Sequence, residues 1–289
     1  MRRSFPTARF VLVLVVALLS KVHAESSPGF HPPVDVPFKA KFDGSEQRYV
    51  LLLPADYREG QPRDLVIALH GHGSDRWQFA TNERGECKGA RDAAAAHGLI
   101  FVSPDYRAKT SWMGPAAEAD LVQLIKKLKS KYNCKRVILC GGSMGATSAL
   151  TFTALHPSLV DGVVALNGTA NHLEYENFQE AIAESFGGTK QEAPEEYYRR
   201  SAEFWPLHFT MPVALTTSGQ DTAVPPGSVM RLAGMIKKLN PQVLHLHRPE
   251  AGHETSYDDT VEAMNFVLDR LRPATVERTG RTAKRAARR

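Results

Sequence analysis

The sequence predicts an α/β fold: a mostly parallel central sheet with helices on both faces. Two observations carry that prediction. Short apolar runs alternate with longer helical patterns from residue 48 to residue 271, the order that parallel strands and their crossover helices require. The apolar runs are also continuous, as strands buried on both faces are, rather than alternating with polar residues. A composition of 43% hydrophobic and 23% charged residues agrees, since it excludes disordered, collagen-like and coiled-coil chains.

The elements follow in order. Residues 25–37 hold Pro28, Pro32, Pro33 and Pro37 and read as an extended entry segment, neither helix nor strand. Arg48–Leu53 is a strand stopped by Pro54, and Leu65–Leu69 is a second. Lys88–His97 is an alanine-rich helix ended by Gly98, followed by a strand at Leu99–Val102. Ala116–Lys131 places Leu121, Leu124, Ile125 and Leu128 on one helical face. Arg136–Cys140 is a strand, Met144–Leu155 a helix stopped before Pro157, and Val163–Leu166 a strand. Val213–Thr217 (strand), Gly227–Leu239 (helix), Val243–His247 (strand) and Tyr257–Leu271 (helix) complete the body.

The ends differ from this body. Arg2-Arg3, the apolar run Phe10–Leu19 and Val22-His23-Ala24 have the three parts of a secretory signal peptide, so residues 1–24 are expected to be removed and the protein to be secreted or periplasmic. The apolar run is too short to span a bilayer, so no stable membrane insertion is expected after cleavage. Residues 272–289 are polar and basic without apolar periodicity and read as a disordered tail. Of the net charge of +5, residues 1–24 contribute +4 and residues 272–289 contribute +6, which leaves the body between them at −5. The basic balance is therefore no sign of nucleic-acid binding. Export would place the three cysteines in an oxidising compartment. Cys140, inside an apolar run, reads as a buried thiol, which leaves Cys87 and Cys134 as the one available pair.

In open α/β sheets ligands bind at the carboxyl ends of strands, so chemistry-bearing residues should follow strands directly. Gly141-Gly142-Ser143-Met144-Gly145 does so. It joins the strand ending at Cys140 to the helix opening at Met144, and small residues flanking the serine let the chain turn sharply and leave Oγ exposed. A serine needs an imidazole to take its proton, and the imidazole needs an acid to set its tautomer. His253, in the loop after Val243–His247, is the candidate base. Asp221, after Val213–Thr217, is the candidate acid, with Asp105 as runner-up. His245 and His247 lie within a strand, His97 and His156 end helices, and Asp258 and Asp259 open one, so structural roles suit them better. Leu69-His70-Gly71-His72-Gly73-Ser74 follows Leu65–Leu69, and its backbone N–H groups at Gly71 and His72, with that of Met144, are the candidate oxyanion donors. No third ligand accompanies His70 and His72 at metal spacing, so neither metal nor organic cofactor is expected.

The order Ser143, Asp221, His253, the His70–Gly73 turn, the Gly141–Gly145 elbow, and Val224-Pro225-Pro226 behind the aspartate resemble the α/β-hydrolase superfamily over nearly all of residues 25–271. Within it the chain looks like the secreted esterases related to feruloyl esterases, acetyl xylan esterases and polyhydroxybutyrate depolymerases. The Asp221-x-x-Val224-Pro225 stretch is similar to prolyl-oligopeptidase-type peptidases and small carboxylesterases as well. The resemblance implies the α/β-hydrolase fold and a secreted serine hydrolase that cleaves a carboxylic ester, an acyl group on a polysaccharide by preference. A prolyl-oligopeptidase-type peptidase is the alternative; such peptidases usually carry an added propeller, for which 289 residues leave no room. A non-catalytic binding protein on the same fold is a further alternative, against which the complete set of three groups argues.

Residues 168–207 match no motif and contain no clear strand, so they read as a cap or lid insertion. They carry seven aromatic residues, Tyr175, Phe178, Phe186, Tyr197, Tyr198, Phe204 and Trp205, which suit either the core of a small helical cap or stacking on a substrate. Trp112, in a loop after another strand, and Trp205 are the candidate substrate-binding residues.

Overall fold

The computed structural model describes residues 29–271. The signal-peptide reading of residues 1–24 and the tail at 272–289 lie outside the described residues. Eight strands form one sheet: β1 (Val34–Lys39), β2 (Glu46–Leu52), β3 (Leu65–Leu69), β4 (Ile100–Pro104), β5 (Val137–Gly142), β6 (Gly162–Leu166), β7 (Val213–Ser218) and β8 (Val243–Arg248), in the spatial order β1-β2-β4-β3-β5-β6-β7-β8. The first two strands pair antiparallel with each other and β2 pairs antiparallel with β4; every later pairing is parallel.

β1 corrects the expectation that the entry segment forms no strand. It lies at the sheet edge with Pro37 opposite Arg48, and an edge strand tolerates proline because only one side must supply ladder hydrogen bonds. Helix α1 (Trp77–Thr81), a single turn, was not legible from periodicity; α2 (Gly85–Ala96) begins ahead of the expected Lys88.

The other helices are α3 (Pro115–Tyr132), α4 (Met144–Leu155), α5 (Gln179–Phe186), α6 (Pro194–Arg200), α7 (Gly227–Leu239) and α8 (Tyr257–Leu271). Local chemistry sets their limits. Pro115 opens α3, where its missing N–H costs nothing, and Asn133 closes it at φ 50° in the left-handed conformation. The period-two alternation of each strand divides the interior. Leu65, Ile67 and Leu69 of β3 face the layer of α3, α4 and α7, whereas Val66 and Ala68 face α2 and α8.

This division makes the crevice. The chain leaving β3 enters α1 and α2 on one face, and the chain leaving the adjacent β5 enters α4 on the other. Their carboxyl ends diverge at the switch point of the sheet, where α/β folds bind ligands.

The cysteine pairing is overturned. All three cysteines are free and buried, with Cys87 on the α2/α8 face and Cys134 on the opposite face, so the sheet separates them. Burial pushes the Cys87 thiol up to about 12, which keeps it protonated and inert.

Residues 168–207 contain α5, α6 and a short 3-10 turn, Ala202–Phe204, and a second such turn, Pro206–His208, runs across their end. Tyr175, Ile182, Phe186 and Tyr197 join the core under α3, α4 and α7, so most of the aromatic surplus serves packing. Arg200, wholly buried, bonds Glu118 of α3 and Glu196 at 2.8 Å each and donates to the Met113 carbonyl. Burial alone would raise the Glu118 carboxyl, but the bonds from His156 and Arg200 outweigh it and hold Glu118 at about 2. A depressed carboxylate stabilises the fold fully above its unfolded value and loses that contribution as pH falls through the folded value. Stability is therefore expected to decline between about pH 4.5 and 2, with a shallower acid limb in Glu118→Gln when urea midpoints are followed against pH.

Candidate active site

Ser143 sits between β5 and α4 at φ 57°, ψ −120°, a conformation rare for a side-chain-bearing residue and worth about 1–3 kcal/mol of strain. The flanking glycines are required. A Cβ on Gly145 would fall on the Leu69 carbonyl, and one on Gly141 would fall on the Gly145 carbonyl. The strained turn thus presses the elbow against the end of β3, bringing Ser143 beside the loop that carries Gly71.

Asp221 and His253 arrive from the loops after β7 and β8. The Ser143 Oγ–H donates to His253 Nε2 at 2.9 Å, and the His253 Nδ1–H donates to Asp221 Oδ2 at 2.7 Å. The second Asp221 oxygen accepts the Val224 N–H at 2.8 Å, which orients the buried carboxylate. The base is oriented by Asp221, not Asp105: Asp105 is held by Arg76 through both its backbone N–H and its guanidinium. Asn167, after β6, steadies the histidine loop by donating to the Glu254 carbonyl at 2.7 Å. His245 and His247 both meet the Thr217 hydroxyl, as structural residues of the sheet edge.

The oxyanion donors need one correction. The Gly71 N–H is taken by Gln78 Oε1 at 2.7 Å, so it is not free to bind a substrate. No acceptor among the described residues takes the His72 N–H, and Met144 opens α4, where helix N–H groups lack intrahelical partners. His72 and Met144 are the backbone donors that remain. His70 is buried against Tyr106 with its ring nitrogens at the Gly71 and Asp105 carbonyls, a structural position.

Ser143, His253, Gly71 and His72 line a cleft of about 320 Å³. Phe178 of the insertion and His72 form one wall; Gln78, Arg84, Glu86 and Glu254 form a polar end next to His253. Glu86 is buried, which raises its carboxyl, and its ion-pair partner is Arg84 at 3.4 Å. Phe178 had a signal in the aromatic surplus of the insertion, but Gln78, Arg84 and Glu86 had none, because a helix and its approach bring them there.

The two tryptophans need correction too. Trp112 is wholly buried and lies behind two residues of the cleft wall: His72, whose Nδ1 accepts its indole N–H at 3.2 Å, and Phe178, whose ring centroid is 5.6 Å from its own. Trp205 stacks on His208 and meets Tyr198 edge-on, away from the cleft walls. Its hydrophobic ring packs the insertion against the core instead.

An eight-stranded, mostly parallel sheet with a serine elbow, a histidine loop and an acid loop at its carboxyl edge is the α/β-hydrolase fold. Solved structures agree. The chain superimposes on Porphyromonas gingivalis dipeptidyl peptidase 4 with a TM-score of 0.66 at 14% identity, covering 84% of this chain and 36% of that one. For a Pyrococcus horikoshii acylaminoacyl peptidase the values are 0.62 and 14%, covering 83% and 41%. For an esterase of Pyrococcus furiosus they are 0.58 and 19%, covering 82% and 92%. The chain thus spans little more than a third to two fifths of the length of these peptidases, and nearly all of the esterase. No curated protein sequence matches it. The sequence profile of the prolyl oligopeptidase family matches residues 95–270, and the protein belongs to that family of serine hydrolases.

Proposed function

We propose that the protein cleaves an acyl bond through an acyl-enzyme on Ser143 and that its substrates are short peptides or other acylated amines. The hydrogen-bonded series Ser143–His253–Asp221 carries the reading. His253 accepts the Ser143 proton as Oγ attacks the acyl carbon, and Asp221 stabilises the imidazolium. The N–H groups of His72 and Met144 hold the oxyanion, and His253 then protonates the leaving nitrogen and activates water for deacylation. Family membership supports the amide substrate, as do the carboxyls of Glu86 and Glu254 beside His253, which offer acceptors to an amine.

A carboxylic ester, including an acyl group on a polysaccharide, is the second reading. The superposition on the Pyrococcus furiosus esterase supports it. Export belongs to the proposal as well: N-terminal sequencing of protein from the exported fraction is expected to begin at Glu25, and a retained Met1 would refute it.

The test sets aminoacyl and dipeptidyl 4-nitroanilides beside nitrophenyl acetate through octanoate, with wild type and Ser143→Ala. Anilide cleavage by wild type alone supports the peptidase reading. Ester cleavage without anilide cleavage moves the assignment to the second reading. No turnover, together with no labelling of Ser143 by a fluorophosphonate, overturns both.

A further inference from the structure

We propose that the His72 side chain, in addition to its backbone N–H, is a hydrogen-bond donor to the reacting carbonyl: a neutral imidazole held with its proton on Nε2 and facing the cleft. The inference rests on the hydrolase reading above and goes beyond the three groups that carry it.

The tautomer follows from one hydrogen bond. An indole N–H can only donate, and that of Trp112 reaches His72 Nδ1 at 3.2 Å. Nδ1 must therefore be the bare acceptor nitrogen. An imidazolium, with N–H on both sides, would set donor against donor. The neutral ring then carries its proton on Nε2. The partial burial of the ring, which lowers its proton affinity, acts in the same direction.

Direction follows from the shape of the ring. Nδ1 points at Trp112, which is wholly buried, and Nε2 lies on the diverging side of the five-membered ring. His72 lines the cleft with Ser143 and His253, and no acceptor among the described residues meets its Nε2. Phe178 lies against the ring at 4.4 Å between centroids, which limits its rotation.

Trp112 in turn has little freedom. Tyr175 and His172 flank the indole, and Trp112 and Met113 are both held at positive φ (43° and 59°), unusual for bulky residues. Arg200 binds the Met113 carbonyl and helps to hold that turn. A strained, buttressed turn that presents one indole N–H to one imidazole nitrogen is an arrangement that sets a tautomer. A neutral imidazole can polarise a carbonyl through its Nε2–H while keeping that proton.

The test compares His72→Phe, His72→Gln and Trp112→Phe in the full chain, using whichever chromogenic ester or anilide wild type turns over, with melting curves for each variant. A donor used in the transition state predicts a fall in kcat of about 10²-fold for His72→Phe with KM nearly unchanged. Glutamine, whose amide N–H reaches a similar position, should restore at least a tenth of the wild-type kcat. Trp112→Phe, which releases the tautomer, should lower kcat several-fold. Phenylalanine matching wild type, or glutamine doing no better than phenylalanine, overturns the proposal, because a purely structural ring would not separate the two. If His72→Phe does not fold, His72→Ala takes its place on the same criteria: alanine matching wild type, or glutamine doing no better than alanine, overturns the proposal. Loss of turnover in Ser143→Ala but not in His72→Phe refutes this proposal alone; an inactive wild type refutes the hydrolase reading beneath it.

Discussion

Ser143→Ala and His253→Ala are each expected to lower kcat by about 10⁴–10⁶-fold, and the double variant to be no slower than either single one. The two side chains act as one device. Oγ is a weak nucleophile unless Nε2, 2.9 Å away, removes its proton, and Nε2 has no proton to take when Oγ is absent. What remains in each variant is the rate supplied by binding and by the backbone donors, typically about 10³–10⁴ over water. Asp221→Asn should cost about 10⁴-fold, because an amide in place of Oδ2 can present N–H to His253 Nδ1 and invert the imidazole tautomer. Single-turnover kinetics on the substrate established for wild type would check all four variants. Additive losses in the double variant would mean that the two groups do not work together.

Arg200→Ala is expected to be the most damaging substitution outside the cleft, destabilising the fold by about 3–5 kcal/mol. The guanidinium has no exposed surface, and its loss strands Glu118, which is itself nearly buried, and leaves the Met113 carbonyl without its donor. Against a total stability of about 5–15 kcal/mol, a loss of that size is a substantial fraction of what holds the fold. Because the Met113 carbonyl belongs to the turn that holds Trp112, activity should fall further than the loss of folded protein explains. Urea midpoints together with kcat per folded molecule would separate the two effects. An unchanged midpoint would show that Glu118 is satisfied by His156 and Arg199 alone.

Much of this architecture was legible in the chain because its signals are local. Continuous apolar runs such as Leu65–Leu69 mark strands buried on both faces, and Pro115 and Pro157 punctuate helices wherever they fall. The elbow is legible for the same reason, since the turn needs glycine at 141 and 145 whatever surrounds it. Pro37 misled because proline forbids a central strand but not an edge strand, and edge position belongs to the whole sheet. Cys87 and Cys134 misled in the same way, since nothing near either residue says which face of the sheet it occupies.

The sequence by itself determined the alternation of strands and helices, the order of serine, acid and base, and the fact that each follows a strand. Those features rest on backbone propensity and on short-range steric rules, which act within a few residues. Only the tertiary structure decided that Gln78 occupies the Gly71 N–H, that Trp112 lies behind His72 and outside the cleft wall, that Trp205 packs away from the site, and that Phe178 alone among the insertion's aromatics lines the cleft. Each of these depends on a hydrogen bond or a packing contact between segments far apart in the chain, and such contacts exist only once the sheet has brought those segments together.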